Sequence, residues 1–251
     1  MFMRFVELKV QPDKLEDFEQ YYRSRVEPAL HDTAGCLFAG LLSSPEHPSE
    51  CISMTLWQSP DDVEAYESSG LYDTLLKGAE PYLWYTTEWR VQLSDDLKLE
   101  YAPVKEPPVV EAFPIEADSS GGAAIDHASA NMYLRIVSAN VKPGQMDALA
   151  ERYEEVIIPA LLSIDGCRYA YLARGGADRD EVLSVTLWDS QASAAEYERS
   201  GRFGEMVQEA QPYLSSVMQW QMTLNPSRKT REVASNDLHV EGYQVVTSDS
   251  F

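Results

Sequence analysis

The chain contains two copies of one sequence unit, and this repeat limits its fold more than any other feature. Residues 1–93 align with residues 132–224 at a constant shift of 131 without a gap, and about 30 of the 93 positions are identical. Self-similarity at a fixed offset indicates one supersecondary unit used twice. The matches include Pro28-Ala29-Leu30 with Pro159-Ala160-Leu161, Thr55-Leu56-Trp57 with Thr186-Leu187-Trp188, Tyr66-Glu67 with Tyr197-Glu198, and Trp89 with Trp220.

Two segments lie outside the repeats. Residues 94–131 contain Pro103, Pro107, Pro108 and Pro114 and a Ser119-Ser120-Gly121-Gly122 run, a composition typical of a linker. Residues 225–251 form a C-terminal tail. Both segments include a short β-prone stretch, so we expect each to carry an extra strand. The predicted organisation is therefore a repeat at 1–93, a linker at 94–131, a second repeat at 132–224 and a tail at 225–251.

The pattern within one repeat predicts the order βαββαβ. A β-type run covers residues 2–10, and apolar residues then recur at helical spacing at Leu15, Phe18, Tyr22 and Val26. Ser59 followed by a proline and two aspartates is typical of a helix start. We expect strands at 36–42, 51–57 and 84–93, a helix from residue 60 to near Gly70, and a short helix through about residue 79. The fold class is thus α+β, with two ferredoxin-like repeats.

The faces of the strands indicate how the repeats pack together. In the third strand Ile52, Met54 and Leu56 share one face, and a mixed face carries Ser53, Thr55 and Trp57. A lone repeat would leave the mixed face, with its tryptophan, in water. We therefore expect the two antiparallel sheets to face each other and to close an intramolecular dimeric α/β-barrel with the helices outside. The alternative is two independent units joined by a linker.

Charge and cysteine content narrow the partners. The chain has 41 Asp and Glu against 20 Lys and Arg, a formal net charge of −21, which repels a phosphate backbone and anionic membranes. It has no apolar run of membrane-spanning length and no signal-peptide pattern, so we expect a cytoplasmic protein. Cys36, Cys51 and Cys167 form no CxxC pair and are interpreted as small buried hydrophobes. We expect no nucleic-acid partner, no membrane partner and no metal.

The repeat resembles the antibiotic biosynthesis monooxygenase family of dimeric α/β-barrels. The resemblance rests on the Thr-Leu-Trp strand end with Gln58-Ser59 or Asp189-Ser190, on the helix with Tyr66 or Tyr197, and on Ser69-Gly70 or Ser200-Gly201. It covers both repeats and implies that the chain is an intramolecular pseudo-dimer, with further homodimerisation left open. The fold also hosts haem-degrading enzymes, isomerases and proteins of no known activity, so it does not decide function.

The haem-degrading branch of the family fits this sequence least well. Those enzymes carry an Asn on the first strand, a Trp on the second helix region and a His ligand on the next helix. The resemblance puts these positions at about Val6 and Val137, at Tyr66 and Tyr197, and near Leu76 and Val207, none of which matches. No two of the four histidines occupy equivalent places in the repeats.

The resemblance also includes oxygenases that use no cofactor and act on aromatic polyketide or quinol-like molecules, which donate an electron to dioxygen once deprotonated. This chemistry needs an enclosed apolar pocket and one or two polar groups that hold or deprotonate a phenolic oxygen. The candidate catalytic residues, all repeated, are Arg4, Arg135, Glu67 and Glu198. The candidate substrate-binding residues are Tyr22, Tyr153, Tyr66, Tyr197, Trp89 and Trp220.

Each candidate also has a structural interpretation. An arginine on an apolar strand face needs a partner or a pocket, and a salt bridge at the strand end would satisfy it. The aromatic residues fit a hydrophobic core, and a helix glutamate is usually solvated. Two functions therefore remain open. The first is a monooxygenase without cofactor that acts on a small apolar or aromatic molecule, and the second is a non-catalytic barrel that binds a small molecule or serves in assembly.

Overall fold

The alternating strands and amphipathic helices of each repeat form in the order that the sequence predicts. The computed structural model describes residues 1–93, 99–105, 108–121, 125, 132–175, 181–215 and 239–251. The first repeat consists of β1 (Phe2–Lys9), α1 (Leu15–Tyr21), α2 (Glu27–His31), β2 (Cys36–Ser43), β3 (Glu50–Trp57), α3 (Pro60–Ser68), α4 (Leu71–Ala79) and β4 (Tyr85–Leu93). The linker contributes β5 (Leu99–Lys105) and β6 (Val109–Asp118).

The second repeat follows the same order. Its elements are β7 (Tyr133–Asn140), α5 (Met146–Arg152), α6 (Ile158–Leu162), β8 (Cys167–Arg174), β9 (Glu181–Trp188), α7 (Gln191–Arg199) and α8 (Arg202–Ala210), and the tail contributes β10 (His239–Ser250). The predicted helix start is confirmed, because the Ser59 hydroxyl accepts a hydrogen bond from the backbone N–H of Asp62 at 3.3 Å. Ser190 caps α7 in the same way, from the N–H of Ser193 at 3.2 Å.

The long helix of each repeat contains a π-turn that proline explains. Residues Tyr22–Val26 join α1 to α2, and Tyr153–Ile157 join α5 to α6, as π-helical turns. Pro28 has no N–H with which to continue the regular ladder. The N–H of Glu27 instead bonds to the carbonyl of Tyr22, five residues back. The bulge recurs before Pro159, and turns of this kind are frequent at functional sites.

Eight strands close a single barrel around a shared interior. The order around the barrel is β1-β3-β2-β10-β7-β9-β8-β6, returning to β1, and the pairs between these strands are antiparallel. The predicted intramolecular α/β-barrel is therefore confirmed. Closure removes the exposed sheet edges that separate units would have kept.

Two strands from outside the repeats, β6 and β10, connect the sheets of the two repeats. β6 lies between β1 and β8, and β10 lies between β2 and β7, so each joins one repeat to the other. The linker thus contributes β6 to the barrel, and the tail contributes β10. The repeat boundaries at residues 93 and 224 stay a prediction.

The strand that ends the first repeat does not join the barrel, as the predicted ferredoxin-like unit would require. The strand expected at 84–93 forms as β4, but it pairs with β5 in a separate two-stranded sheet. The place beside β1 belongs to β6. β6 follows β4 and β5 along the chain, and its other edge pairs with β8 of the second repeat. The corresponding segment of the second repeat, from residue 216, lies outside the described residues.

The polarity of the third-strand faces is the reverse of the expectation. The apolar face of Ile52, Met54 and Leu56 fills the barrel interior, and Trp57 belongs to the cluster beneath the helices. The polar groups of the mixed face have partners there. The Trp57 indole N–H donates to the Thr55 hydroxyl at 2.8 Å, and the Ser53 hydroxyl lies 2.8 Å from that of Tyr22 on the helix side. Buried polar groups need such partners.

Candidate functional site

Two buried arginines mark equivalent places in the two repeats. Arg4 on β1 and Arg135 on β7 are 2% and 3% exposed, on the side of the sheet that the helices cover. The Nε of Arg4 donates to Oε1 of Glu67 at 3.1 Å, and the Nε of Arg135 donates to Oε1 of Glu198 at 2.8 Å. Each carboxylate is about half exposed, at 46% of its side chain. The four residues predicted as catalytic therefore form two ion pairs, as a buried cation requires.

An aromatic ring covers each guanidinium. The centre of the Arg4 guanidinium lies 4.5 Å from the ring centroid of Tyr72, and that of Arg135 lies 4.2 Å from the centroid of Phe203. At these distances the ring faces stabilise the cation. They also hold its plane in one orientation, which directs its remaining N–H groups.

Each guanidinium group has a donor that is not used by the described residues. The Nη2 atoms of Arg4 and Arg135 are buried and donate no hydrogen bond to any described residue. Nη2 of Arg4 lies 3.0 Å from Oε1 of Glu67, but at an angle that does not make a hydrogen bond. A buried donor without an acceptor is costly and calls for an explanation. An oxygen atom of a bound molecule would satisfy it.

A tyrosine and a serine form a second repeated pair beside each arginine. The hydroxyls of Tyr22 and Ser53 lie 2.8 Å apart, and those of Tyr153 and Ser184 lie 2.7 Å apart. Burial raises the pKa of both tyrosines above the ordinary value of 10. The phenols therefore stay protonated at neutral pH and cannot serve as bases.

A cavity lies between the helices and the sheet of the second repeat. It is partly open to solvent and has a volume of about 70 Å³. The polar side chains in its lining are Arg135, Tyr153, Ser184, Thr186 and Tyr197, and the apolar ones include Val137, Ala139, Leu149, Phe203, Met206 and Val207.

The predicted site residues differ in where the structure places them. Arg135, Tyr153 and Tyr197 come together in the cavity lining. Glu198 binds Arg135 but is not itself a lining residue. Their first-repeat counterparts Arg4, Glu67, Tyr22 and Tyr66 surround the equivalent region of the first repeat. The Trp89 side chain and the whole of Trp220 lie outside the described part of the structure.

Sequence reasoning missed most of the lining residues, among them Ser184, Thr186 and Phe203. Ser184 and Thr186 have identical counterparts in the first repeat, Ser53 and Thr55. A small polar residue that repeats on a buried strand was the available signal. It was missed because that face was assigned to the barrel interior.

The donor set of the cavity does not suit haem. No histidine, cysteine or carboxylate of the described residues lines it, and burial holds the pKa of Tyr153 and Tyr197 above its ordinary value, which disfavours a phenolate ligand. Among the described residues, no group of three or more His, Cys, Asp or Glu side chains is placed to hold a metal ion. The described helices are all too short or too polar to cross a membrane.

The described residues of the site are therefore suited to binding a small molecule rather than to coordinating a metal ion or haem. It offers an apolar chamber, a cation with an N–H for which the described part of the chain provides no acceptor, and protonated phenols that donate or accept hydrogen bonds. Such a set suits a small, largely apolar molecule with one oxygen atom to place against Arg135.

Comparisons with known proteins agree with this geometry. The family model described as antibiotic biosynthesis monooxygenase matches residues 1–77 and 132–209. A protein from Lactobacillus acidophilus classed as a monooxygenase has a similar structure, with a TM-score of 0.66, 9% identity, and coverage of 99% of this chain and 95% of that chain. A protein from Fusobacterium nucleatum with the same classification gives a TM-score of 0.66 at 8% identity, covering 99% and 94%.

An anthrone oxidase-like protein is also similar in structure, with a TM-score of 0.56, 13% identity, and coverage of 99% of this chain and 92% of that chain. At these identities the likeness concerns the fold alone. No curated protein sequence matches the chain.

Proposed function

Because the chain belongs to the antibiotic biosynthesis monooxygenase family, we propose that it is an oxygenase that binds a small aromatic, quinol-like molecule beside Arg135 and oxidises it with dioxygen. The observation that carries this proposal is the buried Nη2 of Arg135, which donates to no described residue and belongs to a side chain that lines an apolar cavity. An aromatic body fits the apolar walls, and its phenolic or enolic oxygen accepts from Nη2.

The arginine would favour the ionised form of the substrate. A cation within hydrogen-bonding distance lowers the pKa of a phenol or enol, and the effect is strong where water is excluded. Glu198, bound to the same guanidinium, is the base that we propose for the released proton. Tyr153 and Tyr197, whose pKa values are raised by burial, remain hydrogen-bond donors to the substrate.

The reaction balances without an added reductant. For a substrate with a ring CH₂ group, loss of one proton gives an enolate that transfers an electron to dioxygen, and the two radicals combine in a C–O bond. Loss of water from the resulting hydroperoxide leaves a carbonyl. One oxygen atom enters the product and the other leaves as water, and the substrate supplies all the electrons.

Oxygen uptake tests the proposal. Purified protein is incubated with a panel of hydroquinones and anthrones, and uptake at an oxygen electrode is followed together with ¹⁸O incorporation by mass spectrometry. Arg135→Gln is expected to lower kcat/KM by about 10²–10³-fold, the cost of removing one donor to a developing oxyanion. Arg168→Gln is the control, because Arg168 forms an exposed ion pair with Asp189 in the same repeat.

The non-catalytic alternative predicts a different result. If the folded chain binds members of the panel but consumes no oxygen with any of them, the chain is a small-molecule-binding protein. If Arg135→Gln turns over as fast as the unchanged chain, the proposed role of the guanidinium is wrong.

A further inference from the structure

We infer that the chain has one ligand site rather than two, in the second repeat, and that Leu8, Phe18 and Tyr21 close the equivalent region of the first. The inference rests on the proposed function for the aromatic character of the ligand. It concerns which repeat binds and which residues decide this.

The polar frame of a site is present in both repeats, so it cannot distinguish them. The Arg–Glu pair, the Tyr–Ser pair and the ring over the guanidinium all recur with distances that agree within 0.3 Å. Any difference in binding must therefore come from the size of the side chains around this frame.

The side chains beside the frame are larger in the first repeat. Leu8 takes the place of Ala139, and Phe18 takes the place of Leu149, so each position gains three side-chain carbon atoms. Phe18 is 2% exposed, and its ring centroid lies 5.9 Å from that of Tyr82.

Compensating changes elsewhere are small. Val26 replaces Ile157 and Cys51 replaces Val182, and each change removes only one heavy atom. The balance favours a packed region in the first repeat, since interiors fill such space with side chains.

The two repeats also join their helices differently. In the first, Tyr21 on α1 lies against Gly78 on α4, where any Cβ atom would collide with its hydroxyl. The hydroxyl donates to the carbonyl of Leu75 at 2.7 Å, and the ring stacks on Phe18 with centroids 6.5 Å apart. Tyr21 thus adds a second aromatic ring over the region that Leu8 and Phe18 occupy.

In the second repeat an ion pair takes this place. Arg152 stands where the first repeat has Tyr21, and Glu209 stands where it has Gly78, and the two side chains form a hydrogen-bonded salt bridge between α5 and α8. Their side chains are 39% and 37% exposed. A partly hydrated bridge leaves the cavity beneath it unfilled, whereas the rings of the first repeat pack inward.

Exchanging the size-determining residues tests the inference. The probe is 2-naphthol, a flat aromatic molecule with one hydroxyl, and the measurement is the number of equivalents bound per chain by equilibrium dialysis and by native mass spectrometry. We expect one equivalent for the unchanged chain and a loss of affinity of at least 100-fold for Ala139→Leu/Leu149→Phe. We expect two equivalents for Leu8→Ala/Phe18→Leu.

The controls separate folding from binding. Circular dichroism and thermal unfolding of each variant establish that the barrel is intact, and Ala139→Leu alone replaces the double variant if that one does not fold. Two equivalents in the unchanged chain, none in the unchanged chain, retention of the equivalent by the Ala139 variants, or no second equivalent in Leu8→Ala/Phe18→Leu would overturn the inference. One bound equivalent without oxygen uptake would leave it standing and remove only the proposed oxygenase activity.

Discussion

The barrel interior and the two helix-covered layers are built under different constraints. The interior is one cluster to which both repeats contribute, including Met54 and Leu56 from the first and Val185 and Leu187 from the second. Each outer layer is a separate cluster, and its residues come mainly from one repeat and the helices that cover it. A change in the interior therefore disturbs both repeats at once, whereas a change in one layer leaves the other layer unaffected.

The repeats have diverged in the interior and in the outer layers. In the interior Leu56 corresponds to Leu187, although Leu42 corresponds to Ala173. In the outer layers Ala139 corresponds to Leu8, and Arg152 corresponds to Tyr21. The layer of one repeat can keep its polar residues while its apolar side chains change size. Close packing passes such a change only to neighbouring residues of the same layer.

The largest expected effect comes from the interior. Leu56→Ala removes a fully buried side chain and should lower the free energy of unfolding by about 3 kcal/mol. Leu187→Ala is the matched change and should have the same effect, since both leucines belong to one cluster. Guanidinium unfolding followed by circular dichroism should give one transition for both variants. Two transitions, of which only one shifts, would show that the repeats do not share a core.

Substituting either member of the ion pair beneath the helices of the second repeat should have a smaller effect on the free energy of unfolding, and the two effects should differ. Glu198→Ala leaves the guanidinium of Arg135 buried without a partner, and we expect a loss of about 2 kcal/mol, below the usual cost because the carboxylate is half exposed. Arg135→Met leaves a carboxylate that water can reach, and its loss should be smaller. Denaturant unfolding of both variants checks this order. The reverse order would mean that the cation finds another partner.

The sequence predicted most of the architecture because the repeat and the strand periods are strong signals. The gap-free alignment of the two halves predicts two equivalent units. Alternation on β1 places Arg4 on an apolar strand face, and the structure shows that the helices cover this face. The signals fail at the third strand. Ser53 and Thr55 look like a face for solvent or for a second sheet, and only the tertiary structure supplies Tyr22 and Trp57 as their partners.

The cavity could not be predicted from either repeat alone. Arg135, Tyr153 and Tyr197 were identified because they recur, and recurrence also selects their first-repeat counterparts. The positions that distinguish the repeats, such as Ala139 and Leu149, are ordinary apolar residues. Their size becomes informative only when the structure shows which side chains they face.

The tyrosine–serine pairs test whether water reaches the helix-covered layer of the second repeat more readily than that of the first. Tyr22→Phe leaves the half-buried Ser53 hydroxyl without its partner, away from the cavity, and should cost about 1.5 kcal/mol. Ser184 lines the cavity, where water can replace the lost phenol, so Tyr153→Phe should cost about 0.5 kcal/mol. Urea unfolding of the two variants measures the difference. Equal losses would indicate that the cavity is dry at Ser184.

The smallest expected change in stability at neutral pH comes from substituting a thiol in the helix-covered layer of the first repeat. Cys51 corresponds to Val182, so Cys51→Val should change the free energy of unfolding at pH 7 by less than about 1 kcal/mol. At alkaline pH the variant should differ. Burial raises the pKa of Cys51 to about 12, from an ordinary value of 9.

Above pH 9 the unfolded chain therefore releases this proton while the folded chain keeps it, and stability falls by about 1.4 kcal/mol per pH unit for such a group. The decline should be shallower in Cys51→Val by that amount between pH 9 and pH 11, because Cys36, Cys167 and the buried tyrosines contribute equally to both chains. Denaturant unfolding at a series of pH values measures the two slopes. Identical slopes would show that the Cys51 thiol ionises as readily in the folded layer as in the unfolded chain, and that this layer is less tightly packed than the closure of the first repeat requires.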